Sequence, residues 1–184
     1  MPKLDVKVVV TGPFNAGKTE FIHSISEIGA VNTDRSISPE APEFGVKSQT
    51  TVALDFGRIT VDDDLVLYLF GTPGQRRFDF MWDILAERML GFVVMVDSAR
   101  PETFREAKII LETFRSYAPT PYVVAANKQD HPEAWPIQDL RIALHLDNHI
   151  KLLPCVATDK ESVKNVLLEL LYAILEEMDA QSYR

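Results

Sequence analysis

The chain is short of cysteine and of positive charge. Cys155 is its single cysteine. No disulfide can therefore close within the chain, and a reducing, cytoplasmic setting is expected, with Cys155 a small buried residue at a strand end. Against 27 Asp and Glu there are 19 Lys and Arg, a formal net charge of −8. So acidic a chain lacks the basic face that broad binding to nucleic acid or anionic lipid requires, and no nucleic-acid partner is expected. No apolar run approaches the roughly 20 residues of a membrane span. Position 2 is Pro2, where myristoylation needs glycine, and Gln181-Ser182-Tyr183-Arg184 is not a prenylation box. Met1 to Asp5 leads straight into an apolar run without a secretory signal. The expectation is a protein with no direct membrane anchor. Repeats, low-complexity tracts and linkers are also missing. What remains is ordinary for a globular protein, 46% hydrophobic and 25% charged residues, and predicts one domain over 1–184.

Six apolar runs read as strands: Val6–Val10, Thr51–Phe56, Leu65–Phe70, Gly91–Val96, Tyr122–Ala126 and Lys151–Val156. Most are continuous rather than alternating, as in strands covered on both faces. Asp62-Asp63-Asp64 reads as the turn of a hairpin joining the second and third. Helical stretches separate the others, which implies parallel crossovers. Phe21, Ile22, Ile25 and Ile28 share a face. Ser98 reads as an N-cap, with Pro101 in the first turn before Phe104, Ala107, Leu111 and Phe114. Pro136 opens a helix carrying Ile137, Leu140 and Leu144. Thr158-Asp159-Lys160-Glu161 reads as a capping box, followed by a core stripe of Val163, Val166, Leu167, Leu170, Leu171, Ile174, Leu175 and Met178. His23, His131, His145 and His149 show no metal-ligand spacing.

Between the first predicted strand and helix stands Gly12-Pro13-Phe14-Asn15-Ala16-Gly17-Lys18-Thr19. This is G-x-x-x-x-G-K-[ST], a loop whose backbone N–H groups, with the first turn of the next helix, cradle phosphates. Lys18 can reach the terminal phosphates and the Thr19 hydroxyl can ligate Mg²⁺. Asn15, Ala16, Gly17 and Glu20 belong to the same candidate nucleotide-binding set. Gly29 to Gln49 is long, polar and broken by Pro39 and Pro42. A segment of that kind is functional when it lies beside a ligand, as this one is placed to do.

After the fifth predicted strand comes Asn127-Lys128-Gln129-Asp130. A carboxylate only accepts hydrogen bonds, so Asp130 can take both the ring N–H and the exocyclic amine of guanine. Adenine offers no such pair and leaves the carboxylate unsatisfied. The stem of Lys128 can lie across the base, and Asn127 can tie this loop to the phosphate loop.

These two motifs and the order of strands resemble the Ras-like small GTPases over essentially the whole chain. Gly71-Thr72-Pro73-Gly74-Gln75 and Thr50-Thr51-Val52-Ala53-Leu54-Asp55-Phe56-Gly57 look like the prokaryotic branch related to the gliding-motility GTPases. The resemblance implies an α/β, three-layer P-loop GTPase fold: a six-stranded, mostly parallel sheet with one antiparallel edge strand and about five helices. It implies GTP or GDP as ligand and Mg²⁺ as cofactor, held by Thr19 and Thr51, with Thr50 the fallback. It implies that the Gly74 N–H meets the γ-phosphate, that Gln75 orients the attacking water, and that a backbone N–H of Val156-Ala157-Thr158 reads the guanine oxygen. Slow hydrolysis would then relax residues 29–51 and 71–82. An activating protein, an exchange factor and an effector docking near Phe78, Phe80, Met81 and Trp82 would be the partners.

The sequence departs from the family in three places. Gly71 stands where the family carries a Mg²⁺-associated aspartate; Asp55 can supply that carboxylate through water. Phe14 replaces a frequent glycine, and it either crowds an incoming arginine or packs outside the loop. Asn15 matches GTPases that place K⁺ beside the phosphates. Arg35, Arg76 and Arg77 are internal candidates for an arginine. Two other readings share the phosphate loop: a GTP-binding scaffold with little or no hydrolysis, which Gly71 favours, and an ATP-dependent kinase or ATPase, which Asp130 opposes.

Overall fold

The structure is a computed structural model that describes residues 4–29, 54–74 and 76–182, with the backbone alone at 76–78. Six strands form one sheet: β1 (Leu4–Thr11), β2 (Phe56–Asp62), β3 (Leu65–Gly71), β4 (Gly91–Asp97), β5 (Tyr122–Asn127) and β6 (Leu152–Pro154). Their order is β2-β3-β1-β4-β5-β6. Among the described residues only β2 runs antiparallel to its neighbour, and it lies at the edge. Five α-helices flank the sheet: α1 (Lys18–Ile25), α2 (Trp82–Ala86), α3 (Phe104–Tyr117), α4 (Ile137–Ala143) and α5 (Lys160–Ser182).

The sheet has a core on each face, and alternate residues of one strand feed the two. Val6, Val8 and Val10 of β1 join Leu67, Leu69, Val93, Met95, Val123 and Ala125 beneath α1 and α5. Val9 joins Phe92, Val94, Val96, Val124 and Ala126 beneath α2, α3 and α4. This three-layer packing is why the central strands read as unbroken apolar runs. It is the fold the sequence predicts, six strands and five helices with one antiparallel edge strand. Among the described residues no helix is long and apolar enough to cross a membrane.

Several boundaries move. The second strand is Phe56–Asp62, not Thr51–Phe56. As an edge strand it buries little, and Arg58 and Thr60 dilute its apolar content, so the run just before it carries the stronger sequence signal. Residues 51–53 lie outside the described set, and Leu54 and Asp55 are irregular. The hairpin is as expected, with Leu65 paired to Asp62 across the turn. The outer edge of β2 is covered: the Arg58 carbonyl accepts from the Glu27 N–H, and the Thr60 N–H donates to the Glu27 carboxylate. The last strand shrinks to Leu152–Pro154, with Pro154 in register with Ala126 and the Cys155 N–H donating to the Ala126 carbonyl at 2.8 Å.

Ser98 caps no helix. It is fully buried, and α3 starts after a 3-10 turn over Pro101–Thr103. Ile28 falls beyond the end of α1 at Ile25. At α5 the cap is Asp159, whose carboxylate accepts the Glu161 N–H at 3.1 Å, in place of the expected Thr158–Glu161 box. Leu175 and Met178 are 38% and 37% exposed, so the core stripe stops at Ile174.

Pairing of Val10 with Gly71, Thr11 with Val94 and Asp97 with Asn127 aligns the carboxyl ends of β1, β3, β4 and β5. The chain order reverses around β1, so the loops after these strands converge at the switch point where open α/β sheets take ligands.

Candidate functional site

The loop after β1 depends on two glycines. Gly12 has φ +146°, and a Cβ there would lie 2.4 Å from the Met95 carbonyl oxygen. Gly17 has φ +102°, and its Cβ would lie 2.2 Å from Asn127 Nδ2. Any larger residue would lift the loop off β4 and β5. Asn15 also adopts a left-handed backbone, φ 62°, which asparagine tolerates better than most residues. Gly17 precedes α1 without a side-chain cap, leaving the first-turn N–H groups of that helix open to an anion.

Lys18 is buried and folds back over its own loop. Its Nζ donates to the Gly12 carbonyl at 2.8 Å and the Pro13 carbonyl at 2.7 Å. Burial pulls its pKa down to about 8, against the opposing charges of Asp55 and Glu106. A buried ammonium whose hydrogen bonds among the described residues go to neutral carbonyls is poised for an anionic partner.

Thr19 Oγ1 donates to Asp55 Oδ2 at 2.6 Å. Asp55 is tied to position 71, since its carbonyl accepts the Gly71 N–H at 2.8 Å. A Cβ on Gly71 would meet the Asp55 Cβ at 2.9 Å and its Oδ2 at 3.4 Å. The Asp55 carboxylate thus occupies the space that an aspartate at 71 would need. His23 Nε2 lies 3.8 Å from the other Asp55 oxygen.

Beyond Gly71, the Thr72 N–H bonds the Val10 carbonyl, and its buried hydroxyl meets that of Thr11 at 2.9 Å. These bonds bring Gly74 against the phosphate loop, where an added Cβ would sit 2.8 Å from Phe14 Cα and 3.1 Å from Lys18 Nζ. Thr50, Thr51, Gln75 and Arg35 lie outside the described residues, as do the side chains of Arg76, Arg77 and Phe78. The aromatic cluster that follows divides. Trp82 turns inward against Phe114, ring centroids 5.7 Å apart, while Phe80 is 66% exposed. Ile84, which sequence reading missed, is exposed as well. Phe14 is exposed at the rim of the loop.

The loop after β5 is bound from both sides. Asn127 Nδ2 donates to the Ala16 carbonyl at 2.9 Å, and Asn127 Oδ1 accepts the Ala157 N–H at 2.9 Å. One buried amide therefore joins the phosphate loop, the β5 loop and the loop before α5. Gln129 Nε2 donates to Ser98 Oγ at 2.7 Å and to the Trp135 carbonyl at 3.1 Å. Lys128, with φ 62°, pairs with Asp97. Asp97, Ser98 and Trp135 are absent from the sequence-derived site. The available signal was a polar Asp-Ser pair closing an apolar strand run. A cavity of about 330 Å³ opens here, lined by Gly17, Glu20, Asn127, Lys128, Asp130 and the 156–158 loop. Two of the three N–H groups proposed to read a base are already engaged, Val156 with Ser162 Oγ and Ala157 with Asn127. Among the described residues, the Thr158 N–H is the one left open.

The chain matches, over residues 31–177, a family described as conserved hypothetical ATP binding protein. It belongs to that family. An uncharacterized protein of Methanocaldococcus jannaschii is 34% identical over 133 residues, covering 71% of this chain and 74% of that protein. Two further relatives of this ATP-binding-protein family member are Arf-like. ADP-ribosylation factor-like protein 4C of Homo sapiens is 25% identical over 143 residues, 75% of this chain and 69% of its own. ADP-ribosylation factor-like protein 9 of Homo sapiens is 28% identical over 141 residues, 76% and 67%. These relatives support a nucleotide-binding protein of the Ras-like small-GTPase class. The narrower likeness to the gliding-motility branch rests on residues 50–57 and 71–75 alone.

Proposed function

We propose that this protein is a guanine-nucleotide switch that binds GTP with Mg²⁺ and hydrolyses it slowly to GDP and phosphate. The observation that carries the reading is the Asn127 bridge. It fixes the Asp130-bearing loop to the phosphate loop, so a triphosphate on one and a purine on the other are read together. Asp130 favours guanine over adenine by the chemistry of its two acceptor oxygens, whatever nucleotide the family's description names.

In this reading the phosphates displace the carbonyl partners of Lys18, and the Gly74 N–H, beside Lys18, meets the γ-phosphate. The donor set suits a hard cation: hydroxyl and carboxylate oxygens of Thr19 and Asp55 lie 2.6 Å apart, and Mg²⁺ commonly takes few protein oxygens beside substrate phosphates. Thr19 and Thr51 would hold the ion, with Asp55 behind Thr19 in place of the family's aspartate. Mg²⁺, when bound, supplies neutralisation of charge on the transferring phosphoryl group. Gln75 aligns the attacking water, since phosphoryl transfer needs positioning more than a base. Asn15 is a candidate K⁺ ligand; hydrolysis at equal rates in KCl and NaCl would rule that out. Loss of the γ-phosphate frees residues 29–51 and 71–82, changing a surface that includes exposed Phe80 and Ile84, where activator, exchange factor or effector would dock.

The alternative is a GTP-binding scaffold that does not turn over. Single-turnover assays of wild type and Gln75→Leu separate the two. The switch predicts phosphate release on the order of 10⁻⁴ s⁻¹, the scale of unassisted Ras-type GTPases, slowed further in the variant. Release at the same rate in both, or none in either, contradicts it.

A further inference from the structure

We propose that Asp97 is the positioning residue of the base pocket, holding Lys128 so that its stem forms one wall. The inference rests on the guanine-nucleotide reading and deepens it. Asp97 is the last residue of β4 and pairs in register with Asn127 on β5. It is 2% exposed. One oxygen, Oδ1, accepts the Ala99 N–H at 3.0 Å, so the turn after β4 orients the carboxylate. The other, Oδ2, faces Lys128 Nζ at 2.5 Å.

The two partners are unequal. The Asp97 side chain is 3% exposed and that of Lys128 is 39% exposed. A carboxylate locked in the interior cannot follow a mobile lysine. The lysine, with water on one side, is the partner that would otherwise swing away. Asp97 therefore anchors Lys128, and not the reverse. Lys128 lies just past the end of β5 with a left-handed backbone, φ 62°, so the β5 ladder does not hold it and the Asp97 contact does. The ion pair does two things for a purine. It stretches the four-carbon stem along the cavity wall, and it neutralises the ammonium, so a flat neutral ring can cover the stem without stranding a charge.

The rest of the β4 end stabilises the arrangement. The Ser98 N–H bonds the Asn127 carbonyl at 3.0 Å, and the Ser98 carbonyl accepts the Trp135 N–H at 2.8 Å. Trp135 in turn packs edge-on against Phe104, 5.2 Å between centroids. The end of β4 thus acts as a template on which the base loop is laid.

Asp97→Asn tests this, because an amide oxygen still serves the Ala99 N–H while the charge facing Lys128 is removed. The readout is GDP release, followed with a fluorescent GDP analogue, in four proteins: wild type, Asp97→Asn, Lys128→Met and the double variant. The expected result is about tenfold faster release for Asp97→Asn in the wild-type background, and a change within about twofold when Lys128 is already Met. Equal acceleration in both backgrounds would mean a structural role alone and overturns the inference, as does no acceleration. A wild type that retains no guanine nucleotide overturns the underlying reading and this one with it. Wild type that binds GDP beside an unaltered Asp97→Asn overturns this one only. Should Asp97→Asn not fold, NMR of GDP-bound wild type decides. A hydrogen-bond scalar coupling between Lys128 Nζ and Asp97 Cγ is expected, and a freely solvated Lys128 ammonium contradicts the proposal.

Discussion

On the base side of the site, the polar groups that shape the pocket hold partners on other elements. Asn127 bridges Ala16 and Ala157, Gln129 reaches Ser98 and Trp135, and Lys128 meets Asp97. On the phosphate side, the groups that would meet the ligand hold substitutes. Lys18 bonds the carbonyls of its own loop, and Thr19 bonds Asp55. In the proposed reading, the base side is assembled before a ligand arrives and keeps its bonds on binding, whereas the phosphate side exchanges its bonds for those of the ligand. Pre-assembly favours discrimination, because a wrong base meets groups that cannot rearrange. Exchangeable contacts favour switching, because the ligand's last phosphate decides which set is made.

The sharpest way to break this contrast is at Lys18. Lys18→Met should lower GTP affinity by about a thousandfold, or roughly 4 kcal/mol, measured by calorimetry, while the ligand-free protein still folds. The same residue gives the ligand-free protein a pH signature. Native Lys18 loses its proton near pH 8, against an ordinary value of 10.5, because burial penalises the charge. Between those values the unfolded chain holds the extra proton, so stability should rise with pH across that window, by up to about 3 kcal/mol. Urea unfolding at pH 7.5 and 9.5 should show the rise in wild type relative to Lys18→Met; parallel behaviour of the two would remove Lys18 as its source.

Asn127→Ala attacks the other side. Two bonds vanish and two buried backbone groups lose partners, so unfolding free energy should fall by about 3 kcal/mol. Here, unlike at Lys18, the loss should appear in urea melts without any nucleotide.

Asp55→Ala should weaken Mg²⁺ binding to the nucleotide complex by about tenfold, the usual scale for an outer ligand, read by Mg²⁺ titration of a fluorescent nucleotide. Gly71→Asp alone should not supply a replacement, because its Cβ would lie 2.9 Å from that of Asp55. Paired with Asp55→Gly, it should recover part of the loss.

The smallest effect is expected at Cys155. Its thiol is 1% exposed, and burial lifts its pKa to about 11. Below pH 9 it should resist a thiol reagent until urea unfolds the chain, since only the thiolate reacts. Cys155→Ser should leave GTP affinity within about threefold, because the side chain makes no wall of the pocket.

Much of this site is legible in the sequence because its chemistry is local. Gly12 to Thr19 and Asn127 to Asp130 are contiguous, and each follows a buried strand whose apolar run is unmistakable. Asp55 was nameable only as a candidate, since its nearness to Thr19 and Gly71 arises from chain distant in sequence. Asp97 and Ser98 escaped for a similar reason. Their partners lie 31 residues away, and Ser98 before Pro101 imitates a helix cap. The edge strand was placed too early because β2, which among the described residues has one sheet neighbour, buries too little to announce itself. At α5, Thr158 and Asp159 are both capping residues, and sequence spacing favoured the one the structure does not use.

The most direct test is a titration of the nucleotide-free protein with GTP and with ATP in magnesium buffer. The pocket described here predicts a preference for GTP of at least about a hundredfold, with Asp130→Asn erasing most of it. Tighter binding of ATP, equal binding of the two, or no binding of GTP would contradict the assignment of Asp130 to a guanine edge.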